Sequence, residues 1–175
     1  MNTREDMLHI VPKGSVCAEI GVFSGDFSKL IYNVVRPSKL YLVDLFKGTV
    51  SSGDKNGENE TKISLDQAYT DLLQHFKKDS SVELYKGRSS DFLSKLPDGS
   101  LDFVYIDGDH SFKGVSSDLN LSRTKVKKNG IISGHDYCPR FSGVMKALDD
   151  FTNKFKLKTV FTLQDKIPSF YVINE

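Results

Sequence analysis

Residues 16–25, with the sequence VCAEIGVFSG, constrain the fold of this 175-residue chain more than any other segment. An apolar run ends at Glu19, Gly21 and Gly25 enclose a tight turn, and an amphipathic segment follows. Glycine lets a backbone approach a ligand closely because no Cβ intervenes. Asp44 ends the next apolar run and provides the acidic residue that such a site needs. The pattern predicts a nucleotide-like cofactor at the carboxyl ends of parallel strands.

Composition narrows the class of protein. Lys and Arg number 24 against 23 Asp and Glu, so the net charge of +1 gives no field that would attract nucleic acid or a membrane surface. No apolar run approaches the roughly 20 residues of a membrane span. Cys17 and Cys138 form neither a disulfide framework nor a zinc pattern. We expect one cytoplasmic domain over 1–175, alone or as a homodimer, that acts on a small molecule.

Short apolar runs alternate with longer segments of helical periodicity along most of the chain. Strands are expected at residues 15–21, 39–44, 81–86, 101–107, 129–134, 157–163 and 169–174. Repeated βα units predict an α/β, doubly wound, mostly parallel sheet, with the last two strands antiparallel. Asn129 and Gly130 are expected to end a helix. The polar segment 47–62 is long for a βα loop, and we expect either a mobile lid or disorder there.

Two further motifs follow neighbouring strands of the predicted sheet. Residues 106–110 read Ile-Asp-Gly-Asp-His, and residues 134–137 read Gly-His-Asp-Tyr. Their carboxylates and imidazoles converge on the edge that holds Gly21 and Asp44. One interpretation is a divalent cation site, and another is a general base. Asp109 could also simply cap the helix that follows.

Taken together, the three motifs resemble the class I S-adenosylmethionine (SAM)-dependent methyltransferases, and more narrowly the small-molecule and sugar O-methyltransferases. The resemblance implies a Rossmann-like seven-stranded sheet with strand order 3-2-1-4-5-7-6. It implies that SAM contacts Glu19, Gly21, Phe23, Ser24, Gly25, Asp44, Leu45, Ser89 and Asp107. It also implies a cation, Mg²⁺ or Mn²⁺, on Asp107, His135 and Asp136, with Asp107, His110 and His135 in catalysis.

The chain departs from this family's pattern at several positions. His135 stands where an Asp is usual, which either changes the preferred metal or makes His135 the base without one. Phe23 replaces the middle glycine of the commonest first motif, which disfavours an NAD-binding turn. Arg88 stands where relatives carry an acidic residue beside the adenine. Tyr137 and its neighbours Arg140 and Phe141 are candidate acceptor contacts.

We therefore predict O-methylation of a small hydroxylated metabolite or sugar, with SAM as the methyl donor. Methylation of nucleic acid is a third possibility, which the lack of an Asn-Pro-Pro-Tyr-type base-handling motif disfavours, and two further alternatives stay open at this point. One is an NAD-linked oxidoreductase on a similar fold, and the other is a non-catalytic cofactor-binding module.

Overall fold

A computed structural model describes residues 1–52 and 61–175 of the chain. These residues form nine strands, namely β1 (Val16–Ile20), β2 (Lys39–Asp44), β3 (Thr49–Ser52), β4 (Thr61–Ser64), β5 (Val82–Lys86), β6 (Leu101–Ile106), β7 (Val126–Gly134), β8 (Thr159–Phe161) and β9 (Phe170–Ile173). They also form six α-helices, namely α1 (Arg4–Leu8), α2 (Asp26–Val35), α3 (Leu65–His75), α4 (Ser89–Lys95), α5 (Phe112–Lys125) and α6 (Ser142–Phe155). A 3₁₀ turn, Pro139–Phe141, precedes α6.

Seven of the strands form one sheet in the order β5-β2-β1-β6-β7-β9-β8. Numbered along the chain within that sheet, the order is 3-2-1-4-5-7-6, as predicted. β9 is antiparallel to both β7 and β8, whereas the other pairings are parallel. The sequence-based prediction of the fold class is confirmed.

The central strands are covered on both faces, which explains their nearly continuous apolar sequences. On β6, Val104 and Ile106 join the core packed against α5 and α6. Phe103 and Tyr105 point to the other core, with Cys17 and α2. The Cys17 thiol is fully buried, and burial raises its pKa to about 12, so it is a packed and unreactive group at neutral pH.

The ends of the predicted 47–62 loop are strands rather than loop. Thr49 pairs with Ser64 in the antiparallel β3–β4 ribbon, so the expectation of disorder was wrong for that part of the segment. Alternating β-branched residues such as Val50 and Ile63 suit this ribbon. Residues 53–60 lie outside the described part of the chain, so the lid or disorder expected there stays a prediction.

Asn129 and Gly130 do not end a helix. Helix α5 already ends at Lys125, and β7 passes through Asn129, whose φ of 65° accompanies a register irregularity opposite β6. The residue that sets the end of α5 is distant in sequence. The side-chain amide of Asn174 donates to the carbonyls of Arg123, Val126 and Lys127, which stops α5 early and fixes the start of β7.

Helix α1 was not expected, because five residues are too short for a periodic signal. A capping box between Thr3 and Asp6 starts it, and Met7 and Leu8 are fully buried against the α2 side of the sheet. The longest described helices have 14 residues, and none of the described helices is long and apolar enough to cross a bilayer.

Candidate active site

The turn between β1 and α2 depends on glycine at two positions. Gly21 has φ 87°, and a Cβ there would lie 2.1 Å from the backbone oxygen of Asp107 at the end of β6. Gly25 has φ 82°, and a Cβ there would lie 2.4 Å from Cδ2 of Leu72 on α3. Both residues are required because neighbouring elements pack directly onto the turn. The glycines that sequence reasoning singled out therefore place the cofactor turn against Asp107.

Asp44 organises this turn from the end of β2. Its Oδ2 accepts hydrogen bonds from the backbone N–H groups of Val22 (2.8 Å) and Phe23 (3.1 Å), and its Oδ1 accepts one from Phe46 N–H (2.8 Å). A carboxylate can accept about four hydrogen bonds, so one position remains for a ligand hydroxyl. The role in ordering the turn was not predicted. The neighbouring Leu45 is 58% exposed at the same edge.

Glu19 lies beneath the turn and is only 2% exposed. Its carboxyl group accepts a hydrogen bond from the hydroxyl of Ser28 on α2. Burial raises the pKa of Glu19 to about 8, and the negative charges of Asp107 and Asp44 act in the same direction. Glu19 is therefore mostly protonated at pH 7 in the ligand-free protein.

Four side chains converge where β6 and β7 end. The Nε2 atom of His110 lies 2.7 Å from Oδ2 of Asp136 and 3.6 Å from Oδ1 of Asp107. The Nδ1 atom of His135 lies 2.9 Å from Oδ1 of Asp136 and 3.7 Å from Oδ2 of Asp107. The structure thus brings together all four residues that the two motifs singled out, because the adjacent parallel strands end at one edge.

The charges in this cluster are strongly coupled. Asp107 and Asp136 together raise the pKa of His110 to about 10, against an opposing effect of burial. Burial alone would raise the pKa of Asp136, but His110 and His135 hold it below its usual range. At neutral pH the ligand-free site therefore contains a carboxylate–imidazolium pair, and a bound cation would take the place of its proton.

One atom of the cluster is left without a proper partner. His110 Nε2 is buried and, despite its closeness to Asp136, makes no aligned hydrogen bond. One ligand atom each from Asp107, His110 and Asp136 lie within 4.8 Å of one another. Two carboxylate oxygens and an imidazole nitrogen fit a divalent cation such as Mn²⁺ or Mg²⁺. His135, the histidine that the resemblance placed among the ligands, lies beside this trio.

The backbone around His110 is tightly packed against α6. A Cβ on Gly143 would lie 2.5 Å from the backbone oxygen of His110. The ring of Phe141 packs on the His110 ring, with centroids 4.5 Å apart. Asp109 accepts a hydrogen bond from Ser111 N–H, and Ser111 itself caps α5. The expectation of Asp109 as the helix cap is therefore corrected to Ser111, whose hydroxyl oxygen accepts a hydrogen bond from Gly114 N–H.

Ser89, expected at the adenine, is the first residue of α4. Its hydroxyl donates to Oδ1 of Asp118 on α5 at 2.7 Å. Asp118 is 2% exposed, and burial raises its pKa to about 6. Sequence reasoning missed Asp118, because a polar residue within a weakly amphipathic helix gives no signal of its burial.

The candidate acceptor contacts lie on the segment after Asp136. The hydroxyl of Tyr137 donates to Asp149 at 2.9 Å, and its ring packs on Phe161 at 4.6 Å. The Arg140 guanidinium lies over the Phe141 ring at 5.3 Å. This segment forms a wall beside the cluster.

The comparison with protein families identifies the chain. A family model described as a methyltransferase domain matches residues 18–137, from β1 to the residue after Asp136. This chain belongs to that methyltransferase family. The match covers the glycine turn, Asp44 and the four-residue cluster. The prediction of a SAM-dependent methyltransferase is confirmed at the level of the family, and the alternative of an NAD-linked oxidoreductase is not supported.

A relative in sequence is an uncharacterised protein of Acanthamoeba polyphaga mimivirus. It is 30% identical over 120 residues, which are 68% of this chain and 50% of that protein. The chain thus spans about half the length of this curated relative.

Solved structures share the fold over nearly the whole chain. Precorrin-6y C5,15-methyltransferase from Geobacter metallireducens has a TM-score of 0.68 at 13% identity, over 97% of this chain and 84% of that one. A candidate methyltransferase from Streptococcus mutans in complex with S-adenosylhomocysteine (SAH) has a TM-score of 0.70 at 10% identity, over 99% of both chains. Spermidine synthase from Thermotoga maritima has a TM-score of 0.65 at 14% identity, over 99% of this chain and 57% of that one. At these identities the likeness shows the fold alone, and the fold does not decide the acceptor.

The residues of the methyltransferase site suit SAM chemically. SAM carries positive charge on its sulfonium and on its ammonium group. Asp44 and Asp107 place negative charge on either side of the glycine turn, and Glu19 can supply more if it ionises. The close packing of Gly21 on Asp107 also brings the glycine turn next to the cluster of Asp107, His110, His135 and Asp136. A methyl donor on the glycine turn and a methyl acceptor at the cluster can therefore meet at this edge of the sheet.

Proposed function

We propose that this chain methylates a hydroxyl oxygen of a small metabolite or sugar, with SAM as the donor and a divalent cation as a helper. The observation that carries the proposal is the buried His110 Nε2, held without an aligned hydrogen bond between Asp107 and Asp136. Buried polar atoms are normally satisfied, so an unsatisfied one facing two carboxylates favours a missing ligand.

The reaction that this site supports is an in-line displacement. A bond forms between the acceptor oxygen and the methyl carbon while the bond from that carbon to sulfur breaks, and SAH leaves. When bound, a divalent cation lowers the pKa of an acceptor hydroxyl and orients its oxygen. Asp107, Asp136 and Nε2 of His110 would hold the cation. Positioning of this kind can contribute roughly 7–11 kcal/mol in favourable cases.

His135 is the residue best placed to hold the acceptor's proton. Its Nδ1 faces Oδ1 of Asp136 at 2.9 Å, so a proton on Nδ1 is donated to that carboxylate. The Nε2 atom is then the basic nitrogen of the ring. A carboxylate behind an imidazole stabilises the protonated ring that forms when it accepts a proton. The His135 side chain is 17% exposed, which leaves its ring accessible from the edge of the sheet.

A small acceptor agrees with the charge and the surroundings of the site. The net charge of +1 provides no general attraction for nucleic acid. Tyr137 and Phe141 present aromatic surface next to the cluster, which suits the apolar face of a sugar or another small ring.

The proposal is tested by separating metal binding from cofactor binding. Mn²⁺ and SAH are titrated separately by calorimetry into the wild type and the Asp107→Asn variant, and methyl transfer is measured on a panel of hydroxylated compounds with and without EDTA. Asp107→Asn should weaken Mn²⁺ binding by at least about tenfold and abolish turnover. SAH affinity should stay within about threefold, since a neutral amide preserves the shape of the site and SAH lacks the sulfonium charge that the Asp107 carboxylate would face.

Asp109→Asn is the matched control, because Asp109 lies in the same motif and bonds to Ser111 rather than to the cluster. It should retain Mn²⁺ binding. Full activity of Asp107→Asn, or turnover that EDTA leaves unchanged, would contradict the metal-assisted mechanism and favour a histidine acting alone as the base. SAH binding without transfer to any hydroxyl would favour a cofactor-binding module instead.

A further inference from the structure

Arg4, the first residue of α1, lies outside the matched family region and contacts the start of α2. Its guanidinium lies over the ring of Phe27, 4.9 Å from the centroid. Phe27 is the second residue of α2, directly after the turn, and its ring packs on Tyr105 with centroids 4.2 Å apart. Arg4 therefore lies beside the start of α2, on the side of the sheet where Glu19 is buried.

The position of Arg4 is held by the backbone. Its N–H donates to Oδ2 of Asp165 at 2.8 Å, in the turn between β8 and β9. The N–H of Leu163 in the same turn donates to the carbonyls of Met1 and Asn2, both at 3.1 Å. Several hydrogen bonds thus fix the segment that carries Arg4 against the carboxyl edge of the sheet.

The charge of Arg4 is not neutralised within the described part of the chain. No carboxylate oxygen there lies within 4.0 Å of the guanidinium, although the side chain is partly buried. The buried carboxyl group of Glu19 accepts its hydrogen bond from Ser28 rather than from Arg4. A partly desolvated guanidinium with no carboxylate beside it is a strong site for a planar anion such as a carboxylate.

The structure assigns to Arg4 the binding of the carboxylate of SAM, through its guanidinium over the Phe27 ring at the start of α2. The inference rests on SAM being the methyl donor, as proposed above. SAM carries a single carboxylate, and the acidic residues of the site suit its cationic groups but not this anion. Other cations at this edge are less suited, since Lys86 is paired with Asp66 at 2.8 Å and Arg140 lies on Phe141 beyond the His110 ring.

The test compares two ligands that differ in the carboxylate. SAM and decarboxylated SAM are titrated by calorimetry into the wild type and into Arg4→Met, which keeps an apolar stem over Phe27. The wild type should prefer SAM by about 10- to 100-fold. Arg4→Met should lose this preference by weakening SAM alone, while its affinity for decarboxylated SAM stays within about twofold. Arg4→Lys should restore part of the preference, because it returns the charge without the planar fork.

Arg36→Met is the matched control, since Arg36 is an exposed arginine that follows α2 at the opposite end of the helix. It should leave both affinities unchanged. Equal weakening of both ligands by Arg4→Met would mean a purely structural role, and unchanged SAM affinity would remove Arg4 from the site; either result overturns the inference. A wild type that binds neither ligand would instead refute SAM as the donor, and with it the proposed function.

Discussion

Replacing Glu19 with Gln removes an ionisable group from beneath the glycine turn while keeping its shape. Glu19 is 2% exposed, bonded to Ser28, and near the negative charges of Asp107 and Asp44. The folded protein therefore favours the protonated carboxyl group, and a neutral amide should fit the same place. The consequence is a change in how stability depends on pH.

The size and sign of this effect follow from the pKa. Folding raises the pKa of Glu19 from 4.5 to about 8, so the folded state binds more protons than the unfolded state between these values. Stability then falls as pH rises through this window, by up to about 5 kcal/mol at about 1.36 kcal/mol per pH unit. Below the window the penalty is absent, and above it the penalty is complete. The Glu19→Gln variant has no group to ionise at this position and so does not incur this cost. Its stability should therefore increase relative to that of the wild type as pH rises.

The assay is urea denaturation of ligand-free protein at several pH values from 4.5 to 8.5. The difference in unfolding free energy between Glu19→Gln and the wild type should grow with pH by a few kcal/mol. Glu83→Gln is the control, because Glu83 is half exposed and paired with Lys39 at 2.8 Å, and its difference should stay nearly constant. A difference for Glu19→Gln that is flat, or that shrinks as pH rises, would refute the reasoning.

Three other substitutions test contacts around the site and the sheet. Gly143→Ala places a Cβ 2.5 Å from the His110 carbonyl, so it should displace His110 and weaken Mn²⁺ binding by about tenfold, measured by calorimetry; unchanged affinity would contradict His110 as a ligand. Asp44→Ala removes the acceptor of three backbone N–H groups in and near the turn, and SAH affinity should fall by at least about tenfold, measured in the same way; full affinity would contradict its role. Asn174→Ala leaves three carbonyls of the α5–β7 junction without their amide, which should cost about 2–4 kcal/mol of unfolding free energy in urea; a loss under about 0.5 kcal/mol would contradict that account.

The strand order and the meeting of Asp107 with His135 and Asp136 were predictable from sequence. Each residue directly follows an apolar run, and parallel strands in a doubly wound sheet bring such positions to one edge. Gly21 and Gly25 were predictable for a related reason, since only a turn under close packing needs glycine at both places.

Other features depend on partners that are distant in sequence. Arg4 and Asp165 are 161 residues apart, and Asn174 acts on a helix end some 50 residues earlier. The local periodicity of apolar residues does not depend on such contacts, so the sequence analysis missed α1 and the early end of α5. The orientation of His110 likewise follows from its packing against residues later in the chain. Gly143 lies in α6, and Phe141 lies in the 3₁₀ turn that precedes it.

The position of β9 inside the sheet has a consequence for biosynthesis. β9 is the last of the seven strands to be made, yet it lies between β7 and β8 and pairs with both. Until β9 leaves the ribosome, β7 presents an open edge to solvent or to a chaperone, and β8 has no partner in the sheet. A nascent chain stalled before Phe170 would therefore expose the strand that leads to His135, and the addition of β9 would close the sheet beside that strand.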